Sequence, residues 1–334
     1  MRHLKTILAS AGVCFALGCA SVHRQGELLH LSRHPIHETR MSSTPGPGYE
    51  PCGVWRVRGA HNTLYLVGTS HIVATNQIPF PSPFYAAYQD SREIYVEANT
   101  QSVFTMLRLL PKMFKWMSAH RDELVCPENR TLADYLSAPT LEKLRVFYGR
   151  DLRHDKMTPL LLLLTSMNGT GTHSGGDNGG VEDVFMLMAR KDGKPIREMD
   201  DKTIGTTALM VMDEMLSKWR EDIAKRGADA VIQEEILDEE ELDDAVWRRG
   251  DMAAVERVQQ EIKNESATVY EKLIPERNRK WMVKFKAALQ GKRNVMVLVG
   301  VAHLGGKEGL LHLLKESGFN PEQMYGLDQP TNVR

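Results

Sequence analysis

The chain has 334 residues, 42% apolar and 25% charged, and its 42 Lys and Arg nearly balance its 43 Asp and Glu, leaving a net charge of −1. That profile is globular and long enough for one large domain or two small ones. It lacks the overall basic excess that usually accompanies nucleic-acid binding, so no nucleic-acid partner is expected.

At the N-terminus, Arg2 and Lys5 precede an apolar run over residues 6–18. The run is short for a bilayer span and matches the hydrophobic region of a signal peptide. It closes on Ala16-Leu17-Gly18-Cys19, which resembles a bacterial lipobox, although Leu and the small residue stand in the reverse of the usual order. The favoured reading is a lipoprotein acylated at Cys19; a plain cleaved signal and an uncleaved anchor are the alternatives. Acyl chains on one residue would anchor the protein to the membrane without a transmembrane helix. Ala20 stands where an aspartate often retains lipoproteins in an inner membrane. The expected location is therefore the bacterial cell envelope, at the outer membrane or on the periplasmic face. Residues 1–18 are read as signal peptide, 19–52 as a tether and 53–328 as the folded domain.

The tether has little apolar periodicity and ends in a Pro/Gly cluster. Its His23, His30, His34 and His37 are read as solvated linker residues rather than a loose metal site. Cys52 and Cys126 remain in the mature chain. In an exported protein they can form a disulfide or stand as two free thiols, and spacing does not choose between these.

The segments VWRVRG and TLYLVG predict two strands of a hairpin turning at Ala60-His61-Asn62. A short helix follows over Tyr85–Ser91, then a strand over Glu93–Glu97 that ends in a carboxylate. Residues 101–165 are predicted to be mostly helical, with pauses at Pro127 and Pro139 and a buried leucine-rich stretch over Thr158–Thr165. The glycine-rich stretch 168–180 is read as a loop over a cleft. It is not a phosphate cradle, because no Gly-Lys-Ser/Thr follows and no G-x-G-x-x-G opens a helix after a strand. A helix over Val181–Ala189 and a strand over Ile196–Asp200 come next. Residues 203–290 are helical, and the acidic run 233–245 is a solvated helix face. A buried strand over Val295–Val299 leads to a last helix, with Leu310, Leu311, Leu313 and Leu314 on its apolar face and Gly318 at its end. This succession defines an α/β protein with a mixed central sheet and flanking helices.

One phrase is written twice. LVGTSH occupies residues 66–71 and LVGVAH residues 298–303, a weak internal pseudo-repeat. Each copy is a strand that stops at a glycine, Gly68 or Gly300, and then presents a histidine, His71 or His303. Ligands of open α/β sheets bind beyond the carboxyl ends of the strands. The two histidines therefore converge if their strands are neighbours, and Glu97 and Asp200, also at strand ends, can join them. Two imidazoles and a carboxylate form an ordinary ligand set for a catalytic divalent metal. Such a metal activates water and polarises a carbonyl. There is no H-E-x-x-H and no paired C-x-x-C, so spacing alone leaves structural histidines open as well.

These residues resemble the TraB/PrgY/GumN family, which includes the Tiki proteins. Its hallmark is two G-x-x-H motifs at opposite ends of the domain plus a glutamate, matched here by Gly68–His71, Gly300–His303 and Glu97. Further pieces fall in order: Trp55, then GGVEDVFMLMARKDGKPIREMD, WRRGDM, ERNRKWM with its Arg277-Asn278, and AHLGGKEGLLHLLKESGF. The resemblance covers residues 53–327. Two positions depart from it: Glu182 stands where many members have aspartate, and Met199-Asp200 where many have Leu-Glu.

The resemblance implies an exported or membrane-associated hydrolase of metallopeptidase type, acting on peptides or proteins with a divalent cation such as manganese or cobalt; zinc is a further candidate for the same ligand set. His71, His303 and Glu97 would hold the metal, or one of them would serve as general base. Arg277 would stabilise an oxyanion or grip a substrate carboxylate, with Asn278 orienting it, and Gly68, Gly300, Glu182 and Asp200 would support them. The alternatives are a peptide-binding or sequestering envelope protein without turnover, and an envelope scaffold whose histidines are structural.

Overall fold

A computed structural model describes residues 41–70, 79–98, 103–166, 180–200, 204–237 and 244–327. Six strands, β1 (Glu50–Arg58), β2 (Thr63–Thr69), β3 (Glu93–Val96), β4 (Ile196–Glu198), β5 (Val295–Gly300) and β6 (Glu322–Gly326), form one mixed sheet in the order β4-β3-β5-β2-β1-β6. β5 runs parallel to both β2 and β3, and β3 parallel to β4. β1 is antiparallel to β2 and to β6. Every residue of β5 is buried. Its unbroken apolar run, VMVLVG, is the sequence of a parallel strand covered on both faces.

The parallel geometry sets the connections, since a parallel partner needs a long crossover. β2 returns to β3 through α1 (Ser82–Asp90), which starts at Pro83 in its first turn, where a missing N–H costs nothing. Between β3 and β4 run α2 (Val103–Ala119), α3 (Ala138–Tyr148), α4 (Pro159–Ser166) and α5 (Val181–Lys191). Between β4 and β5 run α6 (Ile204–Arg226), α7 (Met252–Glu265), α8 (Ala267–Leu273) and α9 (Pro275–Leu289), and α10 (Leu310–Glu316) precedes β6. The Asp251 and Ser266 side chains cap α7 and α8 by accepting from Ala254 N and Val269 N. Pro139 lies inside the first turn of α3, so the expected pause falls just before it.

Two cores result. One wraps the sheet and includes Trp247, which meets Phe80 and Phe84 edge-on. The other is all-helical, built around residues such as Leu163, Val211, Trp219, Ile232 and Leu273. They meet at the turn after β5: Val301 belongs to the sheet core and its neighbour Ala302 to the helical core. α7 spans the same seam, with Val255 in the first core and Ile262 in the second.

The N-terminal side of the domain differs from the sequence reading. β1 begins at Glu50, and Ser42 already pairs with Tyr325 of β6. β6 itself has no sequence signal, because EQMYG lacks alternation. It forms along the otherwise open edge of β1, where unpaired backbone groups need a partner. Cys52 and Cys126 are free thiols, both buried. Cys52 Sγ donates to Met324 O and Cys126 Sγ to Met157 O, so no disulfide links them.

β1 packs so closely on the short helix Asp244–Arg248 that a Cβ placed on Gly53 would lie 2.0 Å from the Trp247 carbonyl oxygen. Gly53→Ala forces the backbones apart. It should destabilise the protein by roughly 3 kcal/mol, measured by urea denaturation.

Candidate functional site

β2, β3, β4 and β5 all point their carboxyl ends to one edge of the sheet, and the two repeated phrases lie there side by side. Thr69 of the first pairs with Gly300 of the second, and Gly68 with Val299. The two motif strands are therefore neighbours, which was the condition for their histidines to converge. Gly68 serves close approach: a Cβ there would come within 2.9 Å of Leu304 Cδ1 and 3.1 Å of Val301 Cγ2, in the turn that carries His303. His71 lies outside the described residues, as does Cys19.

Glu97 follows β3, and its Oε1 accepts the Gly300 N–H at 2.6 Å. This bond ties the end of β3 to the second motif and gives Gly300 its role through its amide. Asp200 follows β4 and is held beside Glu97 by the backbone, with Asp200 N donating to Glu97 O at 2.8 Å. Facing both carboxylates is Arg277, in the first turn of α9. Its Nη2 donates to Glu97 Oε2 at 2.5 Å and to Asp200 Oδ2 at 2.8 Å, and its Nε donates to Asp200 Oδ1 at 3.1 Å. The three side chains are only 3–5% exposed. Burial alone would pull the Arg277 pKa down. The charges and hydrogen bonds of Asp200 and Glu97 outweigh it and hold that pKa above its ordinary value.

His303 lies at the seam between the cores, fully buried. Asn278 Nδ2 donates to the carbonyls of His303 and Glu308, which turns its Oδ1 towards the ring. That oxygen is 2.7 Å from His303 Nδ1 and can only accept, so Nδ1 carries the proton. Arg277 Nη1 lies 3.2 Å from Nε2 and can only donate, so Nε2 is the acceptor of that bond; Glu97 Oε1 is 3.7 Å from Nε2. Asn278 is thus a positioning residue for His303.

Two participants were missed at the sequence level. Trp281 donates from Nε1 to Asp200 Oδ1 at 3.0 Å, lies 4.5 Å from the His303 ring and carries the Arg277 guanidinium over its face. Its spacing of four from Arg277 on α9 was the available signal. Gln259 of α7 donates from Nε2 to the carbonyls of Ala302 and Gly305 and so clamps the turn around His303. A lone glutamine on an amphipathic helix gave no hint of this.

The two supporting carboxylates separate. Asp200 joins Arg277. Glu182, at the start of α5, instead accepts from the Thr69 hydroxyl of the first motif, and Val181 N donates to Ser70 O. A surface groove of about 780 Å³ is lined by residues including Glu93, Tyr95, Arg197 and Lys284, and none of the cluster side chains lines it.

The described donors do not fit a divalent cation as they stand. Glu97, Asp200 and His303 Nε2 all face the guanidinium, which already supplies the positive charge at their centre. Among the described residues no group of three or more His, Cys, Asp or Glu side chains is placed to hold a metal.

A mixed α/β sheet with a buried His–Glu–Asp–Arg cluster at the ends of its parallel strands defines the class of protein. The chain belongs to the TraB/PrgY/gumN family, whose sequence model matches residues 53–323. No curated protein and no solved structure matches it significantly.

Two measurements check the cluster. Arg277→Met leaves two buried carboxylates unpaired and should cost about 3–5 kcal/mol of stability in urea denaturation. Adding Glu97→Gln and Asp200→Asn should recover part of that loss. Asn278→Leu should convert the His303 signal in nitrogen NMR from a single Nδ1–H tautomer to a mixture, with the sheet retained by circular dichroism.

Proposed function

We propose that this protein is an envelope-anchored hydrolase of peptide bonds. The observation that carries the reading is the oriented His303: its Nδ1–H is fixed by Asn278 and its Nε2 lone pair is directed at the strand-end cluster. A neutral imidazole held in one tautomer is the form that takes a proton from water or a hydroxyl. Arg277 beside it is a permanent cation suited to a developing oxyanion or to a peptide's carboxylate. To act on substrate, Arg277 must give up part of its hold on Glu97 or Asp200, and these two would retain it near the reacting centre. Family membership supports the hydrolase class, and the paired G-x-x-H motifs support a divalent metal such as manganese, cobalt or zinc. With Arg277 placed as it is, any such metal would need His71 and a displaced guanidinium.

Anchorage rests on residues 1–19. Among the described residues no helix is long and apolar enough to cross a membrane, which is compatible with a lipid on Cys19.

A second reading has its own support. The cluster side chains are almost wholly buried and bonded to one another, as in a structural core of a peptide-binding or sequestering protein.

Detergent-solubilised full-length protein, incubated with a peptide library and read by mass spectrometry, tests the proposal. Cleavage should appear in the wild type and fall by at least about 100-fold in His303→Ala. Repeating the assay with chelator and with added manganese, cobalt or zinc decides the metal requirement. Peptide that is retained but never cut, in wild type and variant alike, would replace the hydrolase with the binding protein. Labelling of wild type but not Cys19→Ser with palmitate checks the anchor.

A further inference from the structure

The groove of about 780 Å³ lies at the opposite end of the sheet from the Arg277 cluster. Glu93 and Val295, which line it, open β3 and β5. Glu97 stands past the other end of β3, roughly 13 Å further along the strand direction. The groove's volume falls in the range of about 300–1,000 Å³ typical of small-molecule sites. One wall is a stripe of α9. Lys284, Ala287 and Ala288, continued by Gly291 just past the helix, follow the i, i+3, i+4, i+7 spacing of a single helix face. The two alanines and the glycine bring almost no side-chain volume to that wall, and the sheet side carries Tyr95 and Val295. The Glu93 carboxylate is answered by Arg197 Nε, which donates to it at 2.6 Å. Lys284 Nζ donates to the carbonyls of Glu198 and Met199. Lys292 and Arg293, where the chain turns into β5, are exposed and meet no carboxylate among the described residues. The surrounding stretch is one-sided in charge. No Asp or Glu occurs between Glu276 and Glu308, where Lys and Arg recur throughout, in a protein with 43 acids and a net charge of −1.

We propose that this groove is a second binding site, for a small aromatic anion. The flat apolar body of the ligand lies between Tyr95 and the Ala287–Ala288 stripe, and its carboxylate, sulfonate or phosphate meets Lys292 and Arg293. An aromatic side chain on one wall and methyl groups on the other accept a flat ring. A guanidinium beside an ammonium holds an oxyanion through charge-assisted hydrogen bonds. The two acids of the groove do not oppose this placement: Glu93 is neutralised by Arg197, and Glu198 closes β4 at the Lys284 end. A bare inorganic anion is a poorer occupant, because both free cations are exposed and such pairs are weak in water. The apolar stripe supplies the remaining affinity. The inference does not depend on hydrolysis or on a metal, since Glu97, Asp200, Arg277 and His303 do not line the groove.

Residues 6–18 are apolar and can adsorb an aromatic probe elsewhere on the chain, so the test must read the groove itself. Full-length protein is labelled with a water-soluble lysine acylating reagent and quantified by peptide mass spectrometry. Labelling is compared without additive and with 2-naphthalenesulfonate, methanesulfonate or neutral 2-naphthol at one concentration. Labelling of Lys292 should fall by about threefold or more only with 2-naphthalenesulfonate, while exposed Lys286, outside the groove, is unchanged. Arg293→Ala should raise the half-protecting concentration by about fivefold. Ala287→Trp, at an exposed position that leaves the core intact, should fill the groove and abolish the protection. Unchanged labelling, or protection kept in either variant, would overturn the proposal. Equal protection by methanesulfonate would reduce the groove to an ion site, and equal protection by 2-naphthol to an apolar one. A parallel fall at Lys286 would overturn the assignment to the groove. Tighter protection by hexaglutamate would give the groove to an acidic peptide instead.

Discussion

Arg277 is taken almost wholly out of water, and a guanidinium in that position is tolerated only if acceptors enclose it. Here the acceptors come from the whole length of the chain. Glu97 arrives from the end of β3, Asp200 from the end of β4, and His303 from the turn after β5. β5 lies between β2 and β3: its pairing with β3 brings the Gly300 amide to Glu97, and its pairing with β2 makes the two repeated phrases neighbours. A single cation thus joins the ends of β3 and β4, the turn after β5 and α9.

The location of His303 carries a dynamic meaning. The turn Val301–His303 belongs half to the sheet core and half to the helical core, and Gln259 and Asn278 clamp it from α7 and α9. Relative movement of the two cores would strain these bonds. The cluster is consequently placed to report, or to be changed by, any shift between the sheet and its helical cap.

Much of this was legible in the sequence, and the limits have physical causes. β1, β2, β3 and β5 declared themselves through apolar runs bounded by turns, and the glycines marked where backbones approach. The convergence of Glu97, Asp200 and His303 followed from their places at strand ends. What the sequence could not supply was pairing in space. Arg277 was read as an oxyanion or carboxylate binder, yet it spends its donors on Glu97 and Asp200, far away in the chain. Glu182 was grouped with Asp200 on chemistry alone, but α5 delivers it to Thr69. β6 owes its existence to the open edge of β1 rather than to its own residues, so no local pattern announced it.

The pairing of Ser42 with Tyr325 has a topological consequence. Ser42 N donates to Tyr325 O at 2.9 Å and Tyr325 N to Ser42 O at 2.8 Å, so the described chain enters and leaves the domain at one point on the sheet margin. In effect the fold is a closed ring cut at that point. A short linker joining the two ends, with a new opening at the exposed Asp192–Gly193 turn, would give a circular permutant that keeps every strand pairing and the Arg277 cluster intact.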